Sequence, residues 1–295
     1  MDTATSPVDS RTLWAVALTL LFWSSSFAGI RAGLEWYSPG PMALFRFLVA
    51  SLMLVAHSAF FGVRLPQVRD LPFIFFAGFL GIAFYHVSLN YGEVTVTAGS
   101  ASFLIGTVPI FSALLAAAIL KERPAIRAWA GIGISFAGIT LIALGEGEGK
   151  GLSLDLGALL ILASAIATSV FFVLQKPYLA KYGALNFTKY SFWAATGFMM
   201  VFLPGLVTEV QVASAHSTLS VIYLGVFPTA ISYVAFAYAL SRSPVSLVTS
   251  FMYISPVLAC LIAWVWLGEV PSAVSFIGGL MALVGVVLVN TRSAR

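Results

Sequence analysis

The sequence has little charge and almost no cysteine, and both shortages narrow the class of protein. Only 9% of the 295 residues are charged, against about 25% in an ordinary soluble domain, and 60% are hydrophobic. Most of the surface is therefore predicted to face lipid. The single cysteine, Cys260, lies in an apolar run, so the sequence predicts neither a disulfide framework nor redox chemistry.

Patterns typical of catalytic and metal sites are also scarce. The three histidines, His57, His86 and His216, are far apart, and neither a GxSxG nor an HExxH string occurs. The sequence therefore predicts no enzyme activity, no metal and no cofactor. The formal net charge of +4 is interpreted as a membrane-topology signal and not as a nucleic-acid surface.

Long apolar runs are what the sequence has in abundance. Each is about 20 residues long, as a helix needs to cross a hydrocarbon core, and each is bounded by charge or by a Gly/Pro turn. The runs are continuous and do not alternate in polarity, which favours helices over a barrel. We expect the first run to be retained, because it resembles the others. Ten spans are predicted, at Leu13–Ile30, Pro41–Phe61, Leu71–Tyr91, Ala98–Leu120, Ala128–Leu144, Leu156–Gln175, Tyr190–Val207, Leu219–Leu240, Ser246–Leu267 and Ala273–Asn290.

The basic residues predict the orientation of these spans. With a cytoplasmic N-terminus, only Arg31 and Lys150 fall on the opposite side, while Arg46 and Lys189 fall within or at the edge of spans. The cytoplasmic segments then hold Arg11, Arg64, Arg69, Lys121, Arg123, Arg127, Lys176, Lys181, Arg242, Arg292 and Arg295. This is the positive-inside pattern, so both termini are predicted to be cytoplasmic.

The chain contains an internal repeat with a fixed offset of 147 residues. The matching pairs are Gly78 with Gly225, Tyr91 with Tyr238, Pro109 with Pro256, Glu122 with Glu269, Pro124 with Pro271, Gly131 with Gly278 and Gly138 with Gly285. Nearer the front of each half the offset is 143 or 144, which pairs Phe27 with Phe171 and Arg46 with Lys189. Because each copy holds five spans, the second copy must enter the membrane from the opposite side.

The repeat divides the chain into five segments. A cytoplasmic leader (1–12) precedes the first five-helix repeat (13–145), and a periplasmic linker (146–155) leads to the second repeat (156–290) and a cytoplasmic tail (291–295). The predicted fold class is an all-α polytopic membrane protein with ten transmembrane helices in two inverted five-helix repeats.

Several local motifs resemble a known family. They are Trp23-Ser24-Ser25-Ser26-Phe27, the prolines at 109 and 256, and the hairpins Leu-Lys-Glu-Arg-Pro (120–124) and Leu-Gly-Glu-Val-Pro (267–271). They resemble the EamA-type branch of the drug/metabolite transporter superfamily over nearly the whole chain, and most of all the YddG-type exporters of aromatic and other amino acids. The resemblance implies a central cavity and export of metabolites across a bacterial inner membrane. It indicates the branch better than the substrate.

Polar side chains inside spans mark a candidate pathway, because each costs free energy unless it meets a partner or water. On the third span His86 and Asn90 share a helical face with Phe79 and Ile82, and Tyr233 takes the position equivalent to His86 on the eighth span. The other candidate cavity residues are Ser24, Phe27, Ser102, Thr168, Phe171, Gln175, Thr229, Thr249 and Tyr253.

Each of these candidates could instead have a structural role. A buried histidine can simply satisfy both ring nitrogens in packing, and serine or threonine often bonds its own helix. Pro109 and Pro256 each remove a backbone hydrogen bond and are predicted to form a hinge or gate. Arg46, at a depth of about 10 Å, either snorkels to the surface or holds a gate closed.

The predicted function is secondary transport by alternating access, most simply export of amino acids. The candidate cavity holds no Asp or Glu, so coupling to an ion stays open, with His86 as a candidate proton carrier. The expected partners are a small amphiphilic substrate, the bilayer and, as a candidate, protons, with no nucleic acid. The alternatives are a carrier of other organic solutes or cationic drugs, a non-transporting receptor or scaffold, and an intramembrane enzyme.

Overall fold

The computed structural model describes residues 10–120, 126–145, 155–243, 248 and 251–290. Within these ranges the chain is helical, with short turns and no strand. The helices in chain order are α1 (Ser10–Leu34), α2 (Pro39–Phe61), α3 (Val68–Gly92), α4 (Ala98–Ile105), α5 (Val108–Leu120), α6 (Ile126–Gly145), α7 (Leu156–Leu174), α8 (Lys176–Tyr182), α9 (Ala184–Val212), α10 (Ala215–Arg242), α11 (Ser255–Leu267) and α12 (Ala273–Asn290). Most of the predicted leader and linker, the predicted tail and the candidate Thr249 lie outside the described residues.

The helices have the length and composition of membrane helices. Six of them, α1, α2, α3, α7, α9 and α10, are long and apolar enough to cross a membrane. Shorter apolar stretches accompany them at Ala98–Ser112, Trp129–Ile142, Ser255–Leu267 and Ala273–Gly285. Large apolar side chains such as Trp14, Phe60 and Val265 are exposed on the outside, where lipid would cover them. The all-helical membrane class predicted from composition is confirmed.

Helices α3 and α10 each contain a π-helical segment at equivalent places in the repeat. The segments are Phe79–Phe84 and Gly225–Ile231, and the 147-residue offset carries the first onto the second almost residue for residue. Pro228, inside the second segment, cannot donate a backbone hydrogen bond. Such segments are rare and are often found at functional sites. Each ends within one turn of His86 or Tyr233, whose direction it therefore sets.

Helices α6 and α12 pack on each other through glycine. A Cβ at Gly138 would lie 2.4 Å from the carbonyl oxygen of Gly278, and one at Gly285 would lie 2.3 Å from that of Gly131. Only glycine permits backbones to approach so closely. Because the residue numbers rise along α6 as they fall along α12, these two helices of the repeat run antiparallel.

The two prolines predicted to form a hinge or gate lie at helix starts. Gly106 and Thr107 interrupt the predicted fourth span, and Pro109 is the second residue of α5. Pro256 is likewise the second residue of α11, after a 3₁₀ turn. Proline is favoured in the first turn, where its missing amide would have no helical partner. A Cβ at Gly106 would lie 3.3 Å from Cγ of Pro256, so the two interruptions meet.

Candidate functional site

A hydrogen bond between equivalent positions of the two repeats lies in the buried centre. His86 Nε2 and the Tyr233 hydroxyl are 3.0 Å apart, 147 residues apart in sequence, and both side chains are buried. The rings of Phe47 and Phe192 pack against them at centroid distances of 4.8 and 5.1 Å. The pair therefore sits in a fixed aromatic frame, and its polar atoms are shielded from lipid.

A cavity lies beside this hydrogen bond. Its empty volume is about 500 Å³, but little of that space admits a water-sized sphere, so the cavity is nearly closed in this conformation. Its walls are mainly aromatic and aliphatic, with hydroxyl groups, an imidazole and one guanidinium. The lining residues are Trp23, Ser26, Phe27, Arg46, Tyr85, His86, Leu89, Ile105, Val108, Thr168, Phe172, Tyr233, Met252 and Ser255.

A second, smaller cavity adjoins the first and shares Phe172 and Tyr233 with it. Its empty volume is about 260 Å³, but almost none of that space admits a water-sized sphere. Its walls include the buried hydroxyl of Ser191, which has no hydrogen-bond partner among the described residues. Tyr233 thus faces both spaces.

The structure places seven of the fourteen predicted cavity residues on the walls of these two cavities. Those that line the larger cavity are Phe27, His86, Thr168 and Tyr233, and the predicted gate residue Arg46 lines it as well. Those that line the smaller cavity are Ile82, Phe171 and Gln175, again with Tyr233. The two sets include residues from both halves of the chain.

Three other predicted residues line neither cavity. Ser24 Oγ is 2.9 Å from the hydroxyl of Ser255, which does line the larger cavity. Asn90 donates to the carbonyl oxygen of Pro39 at 3.0 Å, while its own side-chain oxygen has no partner among the described residues. Ser102 donates to a carbonyl of its own helix at 2.5 Å, which matches the alternative given for hydroxyl residues.

Phe79 lies apart from the cavities. Its side chain is half exposed on the outer surface, with its ring 5.2 Å from that of Phe198, so it faces lipid and not substrate. Its place in the π-helical segment turns it away from the face of His86. Tyr253 lies in the 3₁₀ turn before α11, and its side chain is outside what the structure describes.

Arg46 is a buried cation in the wall of the larger cavity. It is 2% exposed, which excludes the snorkelling alternative. Its Nε donates to the hydroxyl of Thr229, whereas its Nη1 has no partner among the described residues. Gly225 makes this contact possible, because a Cβ there would lie 2.7 Å from the Arg46 carbonyl oxygen. Thr229 follows Gly225 by one turn and so faces the guanidinium.

One end of the molecule, here named the Arg31 end, carries Arg31, Glu93 and Glu269. Arg31 Nη2 lies 3.1 Å from Oε1 of Glu269, and Arg31 Nη1 donates to the backbone oxygen of Glu93 at 2.6 Å. Glu269 also accepts from the first amide of α4, at Ala98. The Glu93 carboxyl is fully buried and has no hydrogen-bond partner among the described residues. This burial raises the pKa of Glu93 well above its usual range, although the Arg31 charge opposes the shift.

The opposite end, named the Lys181 end, carries Gln67, Asp70, Lys181 and Tyr182. Lys181 Nζ donates to Asp70 and, at 2.9 Å, to the side-chain oxygen of Gln67. The Tyr182 hydroxyl donates to Asp70 and accepts from the backbone amide of Gln67 at 3.0 Å. The hydrogen bond to Asp70 raises the pKa of Lys181. Here the carboxylate has two donors, in contrast to Glu93.

Among the residues that sequence reasoning missed are three aromatic residues of the cavity walls and one buried carboxyl. Trp23 and Tyr85 line the larger cavity, and Phe172 lines both. Trp23 belongs to the motif quoted for the family, so its position carried a signal. Glu93 follows His86 by seven residues and therefore falls on the same helical face, a signal that the end of the predicted span concealed.

A mainly apolar cavity with a few polar groups, enclosed between two related halves of an apolar helical bundle, is typical of a membrane transport protein. Comparison with family models agrees. A model described as the EamA-like transporter family matches residues 10–144 and again residues 155–291, one match in each half. The chain belongs to the EamA-like transporter family.

Individual relatives extend this result. The chain is 46% identical over 270 residues to the uncharacterized transporter YdfC of Bacillus subtilis. The alignment covers 92% of this chain and 88% of that protein. It is 39% identical over 284 residues to a probable terminal-alkyne amino-acid exporter of Streptantibioticus cattleyicolor, covering 96% and 95%. A solved crystal structure has the same fold, with a TM-score of 0.64 at 20% identity and 95% and 96% coverage. The protein is a membrane transporter and not an enzyme.

Proposed function

We propose that the protein is a secondary transporter that exports small amphiphilic metabolites, amino acids including aromatic ones first among them, across the bacterial inner membrane by alternating access. The observation that carries the proposal is the cavity beside His86 and Tyr233, lined by aromatic rings, hydroxyls and one guanidinium from both repeats. Such a lining suits a molecule with one apolar and one polar part. The similarity to a named amino-acid exporter supports the same substrate class.

The transport fold in this proposal has ten transmembrane helices in two inverted five-helix repeats. Two observations support the inversion. Equivalent helices α6 and α12 run antiparallel, and the π-helical segments recur at the 147-residue offset. The excess of basic residues assigns the Lys181 end to the cytoplasm and the Arg31 end to the periplasm, with both termini cytoplasmic.

The ion pairs at the two ends support alternating access. Arg31–Glu269 and Lys181–Asp70 each join one repeat to the other, and the cavity between them is nearly closed. Opening one end while the other stays closed would expose the cavity to one side of the membrane at a time. Exposed or half-exposed ion pairs are weak, which allows each end to open in turn.

The test is counterflow in proteoliposomes of the purified protein. Radiolabelled amino acids and organic cations are screened with and without a pH gradient. We expect uptake of amino acids into vesicles preloaded with the same amino acid, and a response to the gradient if protons are the coupling ion. Absence of counterflow for every compound in the screen would overturn the proposal.

Matched variants then test the site. Tyr233→Phe removes one hydroxyl from the central hydrogen bond, and we expect a decrease in transport of about tenfold, since the partner of a buried imidazole is lost. Phe79→Leu is the control, because its side chain lies on the outer surface. Equal transport by both variants at equal yield and melting temperature would contradict the assignment of the site.

A further inference from the structure

The cavity contains one charged group, the guanidinium of Arg46. The buried Glu93 carboxyl acts on it electrostatically, but Glu93 neither lines the cavity nor hydrogen-bonds to Arg46. The ion pairs among the described residues are Arg31–Glu269 and Lys181–Asp70, one at each end, and neither involves Arg46. No lining residue that the structure describes is acidic. A buried cation without an anion is costly, so buried cations normally have a partner.

The neighbours of Arg46 leave part of its guanidinium free. Nε is occupied by Thr229, while Nη1 is buried and unpartnered. A guanidinium stays charged at any physiological pH, and its planar donors match the two oxygens of a carboxylate. The Arg46 backbone packs against Gly225, and the side chain is buried and held by its hydrogen bond to Thr229. The guanidinium is therefore preorganised and does not have to be ordered by a ligand.

The rest of the cavity suits the other parts of an amino acid. The rings of Trp23 and Phe172 are nearly parallel, with centroids 6.3 Å apart, and the indole nitrogen of Trp23 donates to the Pro228 carbonyl at 3.0 Å. These fixed rings offer faces to an apolar side chain or, through a cation–π contact, to an ammonium group. The lining has no acidic group to pair with a lone cation, and the Arg46 charge repels one.

We propose that Arg46 binds the carboxylate of the transported molecule, and that the protein therefore selects solutes with a free carboxylate over their amides and over organic cations. This inference rests on the proposed transport function and names the chemical group that its site recognises. It disfavours cationic drugs as substrates.

The test compares paired probes in the same proteoliposomes: L-phenylalanine with L-phenylalaninamide, and L-leucine with L-leucinamide. In the wild-type protein we expect each amino acid to be preferred over its amide by at least about tenfold, as for a charge-assisted hydrogen bond. In Arg46→Gln the preference should fall to nearly one. Arg46→Lys, which keeps the charge but not the planar fork, should retain part of it.

Lys189→Gln is the matched control. Lys189 is also a buried cation, but it contacts His57 Nδ1 at 3.3 Å and lines neither cavity. Its loss should leave the preference for the carboxylate unchanged. Melting temperature and gel filtration report whether each variant is folded.

The outcomes separate this inference from the transport function. A wild-type protein that transports the amides as well as the amino acids would overturn the inference and leave transport standing. So would a folded Arg46→Gln variant with the wild-type preference. If Arg46→Gln fails to fold, the inference is still tested by the ratio of amino-acid to amide transport in the wild-type protein and in Arg46→Lys. A wild-type protein that transports neither these probes nor any other screened solute overturns the proposed function itself.

Discussion

Both ends of the molecule carry an ion pair that joins one repeat to the other, but the groups around the two pairs differ. At the Lys181 end, Asp70 accepts hydrogen bonds from both Lys181 and Tyr182. At the Arg31 end, Arg31 meets Glu269, while the buried carboxyl of Glu93 beside them has no hydrogen-bond partner among the described residues. At the Lys181 end the carboxylate is therefore held by two donors. At the Arg31 end the buried Glu93 carboxyl favours its neutral form.

The difference has a consequence for pH. Because burial raises the pKa of Glu93, the closed Arg31 end holds the proton of this carboxyl. Opening that end exposes the carboxyl to water, where its pKa returns towards about 4.3. The closed form thus binds the extra proton, so closure is strongest at low pH and weakens as the pH rises from this ordinary value towards the raised pKa. The charged groups that act on Glu93 are Arg31, Glu269 and Arg46.

The largest expected effect is the loss of this pH dependence in Glu93→Gln. The reporter is Ser26→Cys, a buried cavity position, in a Cys260→Ser background, labelled with an impermeant maleimide from the Arg31 side. Relative to Glu93→Gln, labelling of the protein with Glu93 should rise by up to about tenfold per pH unit through the window, since one proton is linked to opening. Taking this ratio cancels the pH dependence of the thiol itself.

Glu209→Gln is the control for the Glu93 substitution. Glu209 accepts hydrogen bonds from Ser38 at the same end of the molecule, but at an exposed site. It should keep the pH dependence of the parent protein. The same pH profile in the Glu93→Gln protein as in its parent would show that another group carries the proton, and the contrast between the ends would fail.

A smaller effect is expected from Arg31→Gln. This substitution removes the ion pair with Glu269 and the charge-assisted hydrogen bond to the backbone of Glu93. Labelling of Ser26→Cys from the Arg31 side at pH 5 should rise about tenfold. Arg242→Gln, which removes an arginine near Tyr238 at the other end, should not change it. Equal labelling in the two variants would mean that Arg31 does not hold its end closed.

Much of the architecture could be predicted because it depends on composition and periodicity. The long apolar runs and their helical conformation follow from lipid as the solvent of the outer surface. The pairing of His86 with Tyr233 came from the 147-residue offset alone, and the structure joins these two side chains by a hydrogen bond. Two repeats related by a pseudo-twofold axis bring equivalent positions near that axis into contact, so the offset between the repeats predicts which side chains meet there.

The alignment of the front of the two repeats predicted equivalent residues less well, because helix packing there shifts the register. The front alignment paired Arg46 with Lys189, yet Gly225 contacts the backbone of Arg46 whereas its equivalent Gly78 contacts that of Ser191. By these contacts Arg46 corresponds to Ser191, and each has a buried polar atom with no hydrogen-bond partner among the described residues. Such a shift of two residues depends on inter-helix contacts that a comparison of sequence letters does not include.

The direction of side chains around a helix was the other feature that the sequence could not predict. A regular helix would turn Phe79 and His86 to the same face, but the π-helical segment between them adds a residue to one turn and rotates Phe79 towards lipid. The hydrogen bond from Arg46 Nε to Thr229, which leaves Nη1 without a partner among the described residues, could not be predicted either, because it forms only through tertiary packing.

The smallest effect is expected at the Lys181 end, from Lys181→Met. Labelling of the same reporter from the Lys181 side should rise only about two- to fivefold, as for other half-exposed ion pairs, because the Tyr182 hydroxyl still donates to Asp70. The raised pKa of Lys181 means that its contribution is complete below the ordinary lysine value and is lost only at higher pH. The effect should therefore be constant between about pH 5 and pH 8. A change that varied with pH in that range, or that exceeded the effect of Arg31→Gln, would contradict the division into a proton-sensitive end and a proton-insensitive one.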